Sequence, residues 1–99
     1  MKNHKIVFSP HAINDIEEAT AYYNQHQKGL GKRFVLQVQQ TLKRIKTNSF
    51  FAAVRYEDVR CAKISTFPFL IHYTIDEINH TIIIAAVYST YRQPLWKER

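Results

Sequence analysis

Two runs of apolar and β-branched residues near the end of the chain predict a β-hairpin. The first run starts at Phe67 and places alternate apolar side chains, such as Ile71 and Tyr73, on one face of a strand. The second run, residues 81–88, is apolar at nearly every position, which is typical of a strand covered on both faces. The polar residues 76–80 predict the turn between them. Because two strands alone are marginally stable in water, we expect other elements to cover this hairpin.

The apolar spacing that precedes the hairpin predicts two consecutive helices. Ser9 and Pro10 mark a helix start, because serine caps free N–H groups and proline loses no hydrogen bond at the first helical position. Apolar residues then recur at helical spacing as far as Tyr23, and the first helix is expected to stop before Gly29. The apolar stripe of the second helix is formed by Phe34, Val35, Val38, Leu42 and Ile45. The short connector between the helices predicts an antiparallel pair.

Short β-prone segments on either side of the helices complete the predicted fold. Residues 5–8 are expected to form a first strand beside the hairpin, and residues 59–65 a strand with a bend or bulge. Residues 53–55 fit either a short strand or a loop. The predicted order is β-α-α-β-β-β in a single domain that spans residues 1–99. The fold class is therefore α+β, with a two-helix hairpin packed on a mainly antiparallel four-stranded sheet.

The net charge of the chain favours an anionic partner. Lys and Arg number 14 against 8 Asp and Glu, which gives a formal charge of +6. Nucleic acid, an acidic protein segment and a ribosome surface are the candidates. The solvent side of the second predicted helix carries Lys32, Arg33, Lys43, Arg44 and Lys46. This basic face is either an anion-binding surface or a solvated helix face whose last cations suit the helix dipole.

Several classes of protein do not fit the sequence. A run of about 18 apolar residues, as a membrane span requires, does not occur, and we expect no membrane association. The first residues lack the apolar segment of a secretory signal. The single cysteine, Cys61, cannot form an internal disulfide, which agrees with a reducing cytoplasm. Cys and His spacing typical of a zinc site is absent from the sequence, so no metal or other cofactor is expected.

Taken together, several segments resemble the RelE/ParE superfamily of toxins from type II toxin–antitoxin modules. They are Asp15–Glu18 with Tyr22 and Tyr23, then residues 29–34, 56–60, 67–73 and 87–96. These segments come in the family order and cover nearly the whole chain. The aromatic-Pro-aromatic start at Phe67 is common in the ParE-type, or plasmid stabilisation, branch. The resemblance implies a RelE/ParE-like fold and a basic, cytoplasmic toxin that a small cognate antitoxin neutralises.

The family has two activities, and the resemblance leaves both open. ParE-like members bind DNA gyrase and block it, whereas RelE-like members are mRNA interferases that cut messenger RNA in the ribosomal A site. Metal-independent cleavage needs a group that activates the ribose 2′-OH, a proton donor for the leaving oxygen and cations that stabilise the phosphorane. If the chain is RelE-like, the resemblance assigns these roles to Lys63, Arg60, Arg92 and Tyr91.

A departure from the RelE-like pattern favours the ParE-like function. RelE-like enzymes tend to have an arginine shortly after the start of the hairpin, whereas this chain has apolar residues at 69–71. Loss of one cationic stabiliser costs on the order of a hundred-fold in rate. We therefore expect a gyrase inhibitor, with a ribosome-dependent mRNA endoribonuclease as the alternative.

Other side chains are candidates for binding or for base catalysis. The group expected to contact the target or the antitoxin is Tyr88, Arg92, Trp96 and Lys97, because aromatic rings beside cations are typical of interaction surfaces. His72 is either a general base or a structural histidine packed among apolar residues.

Overall fold

One strand, two consecutive helices and four further strands follow one another in the computed structural model, which describes residues 4–91. The elements are β1 (Lys5–Phe8), α1 (Pro10–His26), α2 (Leu30–Thr47), β2 (Val54–Tyr56), β3 (Val59–Lys63), β4 (Phe69–Asp76) and β5 (Thr81–Ser89). The predicted α+β fold and its element order are confirmed. The sheet has five strands and not four, because the segment that fitted either a strand or a loop forms the short edge strand β2.

The strands lie in the order β1-β5-β4-β3-β2. The predicted hairpin is the centre of this sheet, with β4 and β5 antiparallel and Phe69 paired with Ser89. β1 lies parallel to β5, with Phe8 opposite Ile84. Because β1 ends at Phe8, the second half of β5 pairs with no strand on that side among residues 4–91.

The irregularity predicted for residues 59–65 is not in β3. That strand pairs with β4 in an unbroken register from Arg60 to Lys63. The register shifts lie between β2 and β3, and between β4 and β5 beside His72. Cys61 and Ala62 are consecutive and both buried, so β3 is covered on both faces at that point and the sequence shows no clean alternation.

Ser9 joins the first helix to the central strand. Its hydroxyl accepts a hydrogen bond from the N–H of Ala12 at 3.0 Å, which is the predicted N-cap. The same hydroxyl donates to the carbonyl of Ala85 at 2.9 Å, and the Ser9 N–H donates to the carbonyl of Ile84 at 3.0 Å. The start of α1 is therefore fixed on β5 directly after β1 ends.

The helix pair covers one face of the sheet and forms the main core there. Residues of this core include Phe34, Val38 and Ile45 from α2, Ile71, Tyr73, Ile82 and Ile84 from the sheet, and Ile64 directly after β3. The second face of the sheet carries the alternate side chains, including the paired Cys61, His72 and Ala86, which are also buried. Among residues 4–91, neither helix combines the length and the apolar character that crossing a membrane requires.

Candidate functional site

Four aromatic rings form a row across the second face of the sheet. The row runs from Tyr56 on β2 through His72 on β4 and Tyr88 on β5 to His11 on α1. Ring centroids are 5.9 Å apart for Tyr56 and His72, 5.3 Å for His72 and Tyr88, and 5.6 Å for His11 and Tyr88. The last two contacts are edge-to-face, a favourable geometry for aromatic pairs. We call these four residues the aromatic row.

His72 is buried and neutral in the middle of this row. Its side chain is 1% exposed, and its Nδ1 lies 3.2 Å from the Tyr56 hydroxyl and 3.6 Å from the sulfur of Cys61. Burial and, to a smaller extent, the positive charge of Arg55 together lower the pKa of His72 to about 4. A neutral imidazole that carries its proton on Nε2 accepts hydrogen bonds from both neighbours at Nδ1.

Cys61 is equally unsuited to carry a charge. Burial raises the pKa of its thiol to about 11, although the charge of Arg55 acts in the opposite direction. The thiolate is the nucleophilic form of cysteine, so Cys61 is a weak S–H donor here and not a nucleophile.

Burial also decides between the two roles considered for His72. A general base must be accessible to the substrate, so a buried His72 favours the structural role.

The outer end of the aromatic row is His11, a residue that the sequence analysis did not single out. Its Nε2 lies 2.7 Å from the Tyr88 hydroxyl and 3.5 Å from Oδ2 of Asp15. The side chain of His11 is 50% exposed, whereas that of Asp15 is 3% exposed. The Asp15 carboxylate also accepts the N–H of Val87 at 3.0 Å, in the half of β5 that pairs with no strand on this side within residues 4–91. Asp15 therefore has a structural role, because it binds the backbone of β5, whereas the imidazole of His11 is accessible to solvent.

The arginine predicted for catalysis is held by the protein backbone. The Arg60 guanidinium donates from Nη1 to the carbonyl of Ala52 at 2.6 Å and to that of Phe50 at 3.4 Å. Its guanidinium carbon also lies 4.9 Å from the centre of the Phe50 ring. These contacts fix the segment before β2 against the sheet.

The lysine predicted for catalysis is held in a similar way. Lys63 Nζ donates to the carbonyls of Ile64 at 2.8 Å and Phe67 at 2.7 Å, which stabilises the connection between β3 and β4. Arg60 and Lys63 are three positions apart on one strand, so their side chains leave opposite faces of the sheet. The structure does not bring these two cations together.

The remaining predicted contacts lie at the end of β5. Tyr91 is 88% exposed, whereas Tyr88 is buried and its hydroxyl contacts His11. Arg92, Trp96 and Lys97 lie outside the described residues. Of the predicted binding and catalytic residues in this region, Tyr91 is thus the one that the structure places at the surface.

A groove beside α1 brings further aromatic rings together near Tyr91. Its volume is about 490 Å³. It is lined by Asp15, Glu18, Ala19, Tyr22, Tyr23, Pro68, Phe69, Val87, Ser89 and Tyr91. Tyr23 packs edge-on against Phe69 in the core, whereas Tyr22 is 54% exposed. We call this surface the α1 groove; its exposed tyrosines and its acids suit contact with another protein chain.

Metal chemistry has no obvious site in the described part of the chain. Among residues 4–91, no three His, Cys, Asp or Glu side chains are grouped as metal ligands are. The chemistry available there is proton transfer at His11 and Tyr88, and binding at exposed rings and cations.

The sequence pattern could not have found the aromatic row. Tyr88 and His11 are 77 positions apart, and they meet because β1 pairs in parallel with β5 and delivers the start of α1 beside it. The sequence does show a histidine directly after a Ser-Pro helix start. This histidine can be linked to Tyr88 only once the parallel pairing of β1 with β5 is known.

Comparison with known proteins gives one family and a consistent fold. Residues 6–94 match the family described as "ParE toxin of type II toxin-antitoxin system, parDE". No curated protein sequence resembles the chain closely enough to count as a match.

Three solved structures have a similar fold at low identity. A chain of the chromosomal ParDE TA system from P. aeruginosa has a TM-score of 0.75 at 14% identity, over 87% of this chain and 95% of that chain. A chain of the intact E. coli RelBE toxin–antitoxin complex has a TM-score of 0.68 at 13% identity, over 90% of this chain and 99% of that chain. A chain of the RelBE2 toxin–antitoxin complex from Mycobacterium tuberculosis has a TM-score of 0.66 at 16% identity, over 89% of this chain and 99% of that chain. At these identities the likeness shows the fold alone.

Proposed function

The chain belongs to the ParE toxin family of type II toxin–antitoxin systems, and we propose that it arrests growth by binding DNA gyrase in the cytoplasm. The toxin class follows from the family match over residues 6–94. The choice of target is the proposal. It rests on how this chain uses the cations that RNA cleavage would need.

The observation that carries the proposal is the position of Arg60 and Lys63. A metal-independent ribonuclease stabilises the phosphorane with cations that converge on one point. Here both cations donate to backbone carbonyls, and they leave opposite faces of β3. Because the two side chains leave opposite faces of the strand, bringing both of them to one phosphate would break hydrogen bonds that hold neighbouring loops. Inhibition by binding does not require this convergence.

The aromatic row supplies the argument for the alternative function. His11 is half exposed, and its imidazole lies 2.7 Å from the Tyr88 hydroxyl, so the two form an accessible acid–base pair. A RelE-like ribosome-dependent mRNA endoribonuclease would use this pair together with cations supplied by the ribosome or by residues after Tyr91. The two functions therefore differ in whether His11 is required.

A purified system separates the two functions. The chain should inhibit DNA supercoiling by gyrase, and it should leave messenger RNA intact on programmed ribosomes. His11→Gln should inhibit gyrase within about twofold of the wild type, because inhibition by binding does not need an acid–base pair. His26→Gln, which changes an exposed histidine at the end of α1, is the matched control.

The opposite result would identify the alternative function. Cleavage of messenger RNA that His11→Gln abolishes and His26→Gln leaves intact, with no effect on supercoiling, would contradict the gyrase proposal.

The α1 groove is our proposed contact surface for a neutralising antitoxin. The similar ParDE and RelBE structures are toxin–antitoxin systems, and the groove offers exposed Tyr22 and Tyr91 beside the acid Glu18. Rigid aromatic rings of this kind dominate many protein interfaces. Co-expression with the product of a small adjacent reading frame should restore growth, and failure of every neighbouring small protein to do so would oppose a cognate antitoxin.

A further inference from the structure

A second groove, lined by polar side chains, lies between α2 and the end of β3. Its volume is about 500 Å³. It is lined by Gln37, Gln40, Thr41, Arg44, Lys63 and Ser65, a set without a carboxylate. We call it the α2 groove. It shares no residue with the aromatic row or with the α1 groove.

Both cations of the α2 groove are held in place without an acidic partner. The Arg44 guanidinium carbon lies 4.3 Å from the centre of the Phe51 ring. Lys63 Nζ donates to two backbone carbonyls, so one of its three N–H groups remains for another acceptor. Within residues 4–91, neither cation makes an ion pair with Asp or Glu. Their charge is therefore available to a ligand.

All charged residues of α2, which forms one side of the groove, are positive. Residues 19–56 contain no Asp or Glu. The acids of the helix pair are all on α1, whereas α2 carries Lys32, Arg33, Lys43, Arg44 and Lys46. Such segregation produces a field that attracts anions to the α2 side of the molecule.

The polar side chains extend along α2 as a stripe. Arg33, Gln37, Gln40 and Arg44 follow at intervals of four, three and four residues, which places them on one side of the helix. From Arg33 to Arg44 the stripe is about 16 Å long, at 1.5 Å per residue. A single ion would occupy only one end of it, whereas a phosphodiester backbone presents charges at regular intervals along such a length.

We propose that the α2 groove and this stripe bind the phosphodiester backbone of a nucleic acid. The guanidinium of Arg44 suits two oxygens of one phosphate, and the Lys63 ammonium acts as a point charge on the same group. The amides of Gln37 and Gln40 and the hydroxyl of Ser65 are the kinds of side chain that commonly contact phosphate and sugar oxygens. The Thr41 hydroxyl already donates to the Gln37 carbonyl at 2.8 Å, so it is not counted as a donor. Such binding does not require gyrase to be the target of the toxin.

Two neighbouring glutamines provide a matched test. Gln40 lines the groove and Gln39 does not, yet both are exposed on α2. Gln40→Glu should weaken binding of a short duplex DNA or single-stranded RNA about tenfold at low salt, because it places an anion among the phosphate-binding groups. Gln39→Glu makes the same change in net charge and should weaken binding less than about threefold. Fluorescence anisotropy of the labelled nucleic acids measures both.

A second pair of variants tests the cations themselves. Arg44→Gln should reduce the slope of log affinity against log salt by about 1, since one phosphate contact is lost. Lys43→Gln removes a cation from the same helix end outside the groove and should leave that slope nearly unchanged. Thermal melting of each variant shows whether it is folded. If one member of a pair does not fold, the other pair of variants provides the test.

The result has three readings. The proposal is supported if Gln40→Glu and Arg44→Gln weaken binding of either nucleic acid and their controls do not. Tighter binding of DNA or of RNA then identifies which nucleic acid the groove prefers. Equal losses in the groove variants and their controls would overturn it, because attraction would then be a property of net charge. Polyglutamate that binds as tightly as the nucleic acids, with the same dependence on Gln40, would also overturn it.

Discussion

His72 shows how one buried side chain links the stability of the molecule to pH. In the unfolded chain an ordinary histidine takes up a proton below a pH of about 6.5. In the folded chain burial holds the pKa of His72 at about 4. Between these values the unfolded state binds more protons than the folded state. The contribution of His72 is therefore fully present above a pH of about 6.5 and is lost as the pH falls toward 4.

Urea unfolding at two pH values tests this link. Between pH 7 and pH 5, we expect His72 to lower the free energy of unfolding by about 2 kcal/mol. The side chain at position 72 of His72→Gln does not titrate. The free energy of unfolding of this variant should therefore fall by about 2 kcal/mol less than that of the wild type between pH 7 and pH 5, whatever its value at pH 7. His26→Gln changes an exposed histidine and should behave as the wild type does. Equal pH dependence in His72→Gln and the wild type would contradict a neutral, buried His72.

Among the elements, the helix pair depends on one close approach of backbone to backbone. Gly31 at the start of α2 faces α1, and its N–H donates to Oδ1 of Asn24 at 3.0 Å. A Cβ atom on Gly31 would lie 2.6 Å from the carbonyl oxygen of Thr20 and 2.5 Å from Oδ1 of Asn24. The amide of Asn24 can rotate away, but the carbonyl of Thr20 belongs to the helix. The two helices can pack this closely only with glycine at position 31.

Two alanine substitutions, one in the first turn of α2 and one in the connector before it, distinguish this close approach from backbone strain. Gly31→Ala must push α2 away from α1 and should cost about 2–3 kcal/mol of unfolding free energy. Gly29→Ala meets no atom within 4 Å, and its cost of about 1 kcal/mol comes from a φ of 86°. Chemical denaturation of both variants gives the comparison. A smaller loss in Gly31→Ala than in Gly29→Ala would show that the helices do not pack as described.

The elements themselves were largely predictable from local signals. The Ser9 cap, the helical spacing up to Tyr23 and the apolar hairpin strands each act over a few residues, and the structure contains all of them. The edge strand β2 has only three residues, and Tyr56 within it contacts His72, which local sequence does not reveal. The register shift beside His72 is likewise a property of strand pairing.

The candidate site was less predictable because it depends on the whole molecule. Alternation along β3 could have placed Arg60 and Lys63 on opposite faces, but their capture by loop carbonyls depends on how residues 50–52 and 64–67 fold. The pairing of His11 with Tyr88 depends on the parallel contact of β1 with β5. Charge segregation was visible in the sequence, whereas the α2 groove required the helix to be placed beside β3.

At the scale of the molecule, three regions differ in their chemistry. The aromatic row is mostly buried, the α1 groove is aromatic and acidic, and the α2 groove is polar and cationic. Among the described residues, none of the three regions contains both Arg60 and Lys63, the two cations that the sequence assigned to catalysis. This separation supports our proposal that the toxin acts by binding a protein target.

Pulse labelling in a bacterial host tests this central claim most directly. The chain is induced without any antitoxin, and thymidine and methionine incorporation are followed in parallel over the first minutes. A block of gyrase should reduce thymidine incorporation first, while methionine incorporation continues. An initial fall in methionine incorporation would place the target on the ribosome and contradict the proposed function. If neither falls while the protein accumulates in a folded form, the chain is not an active toxin.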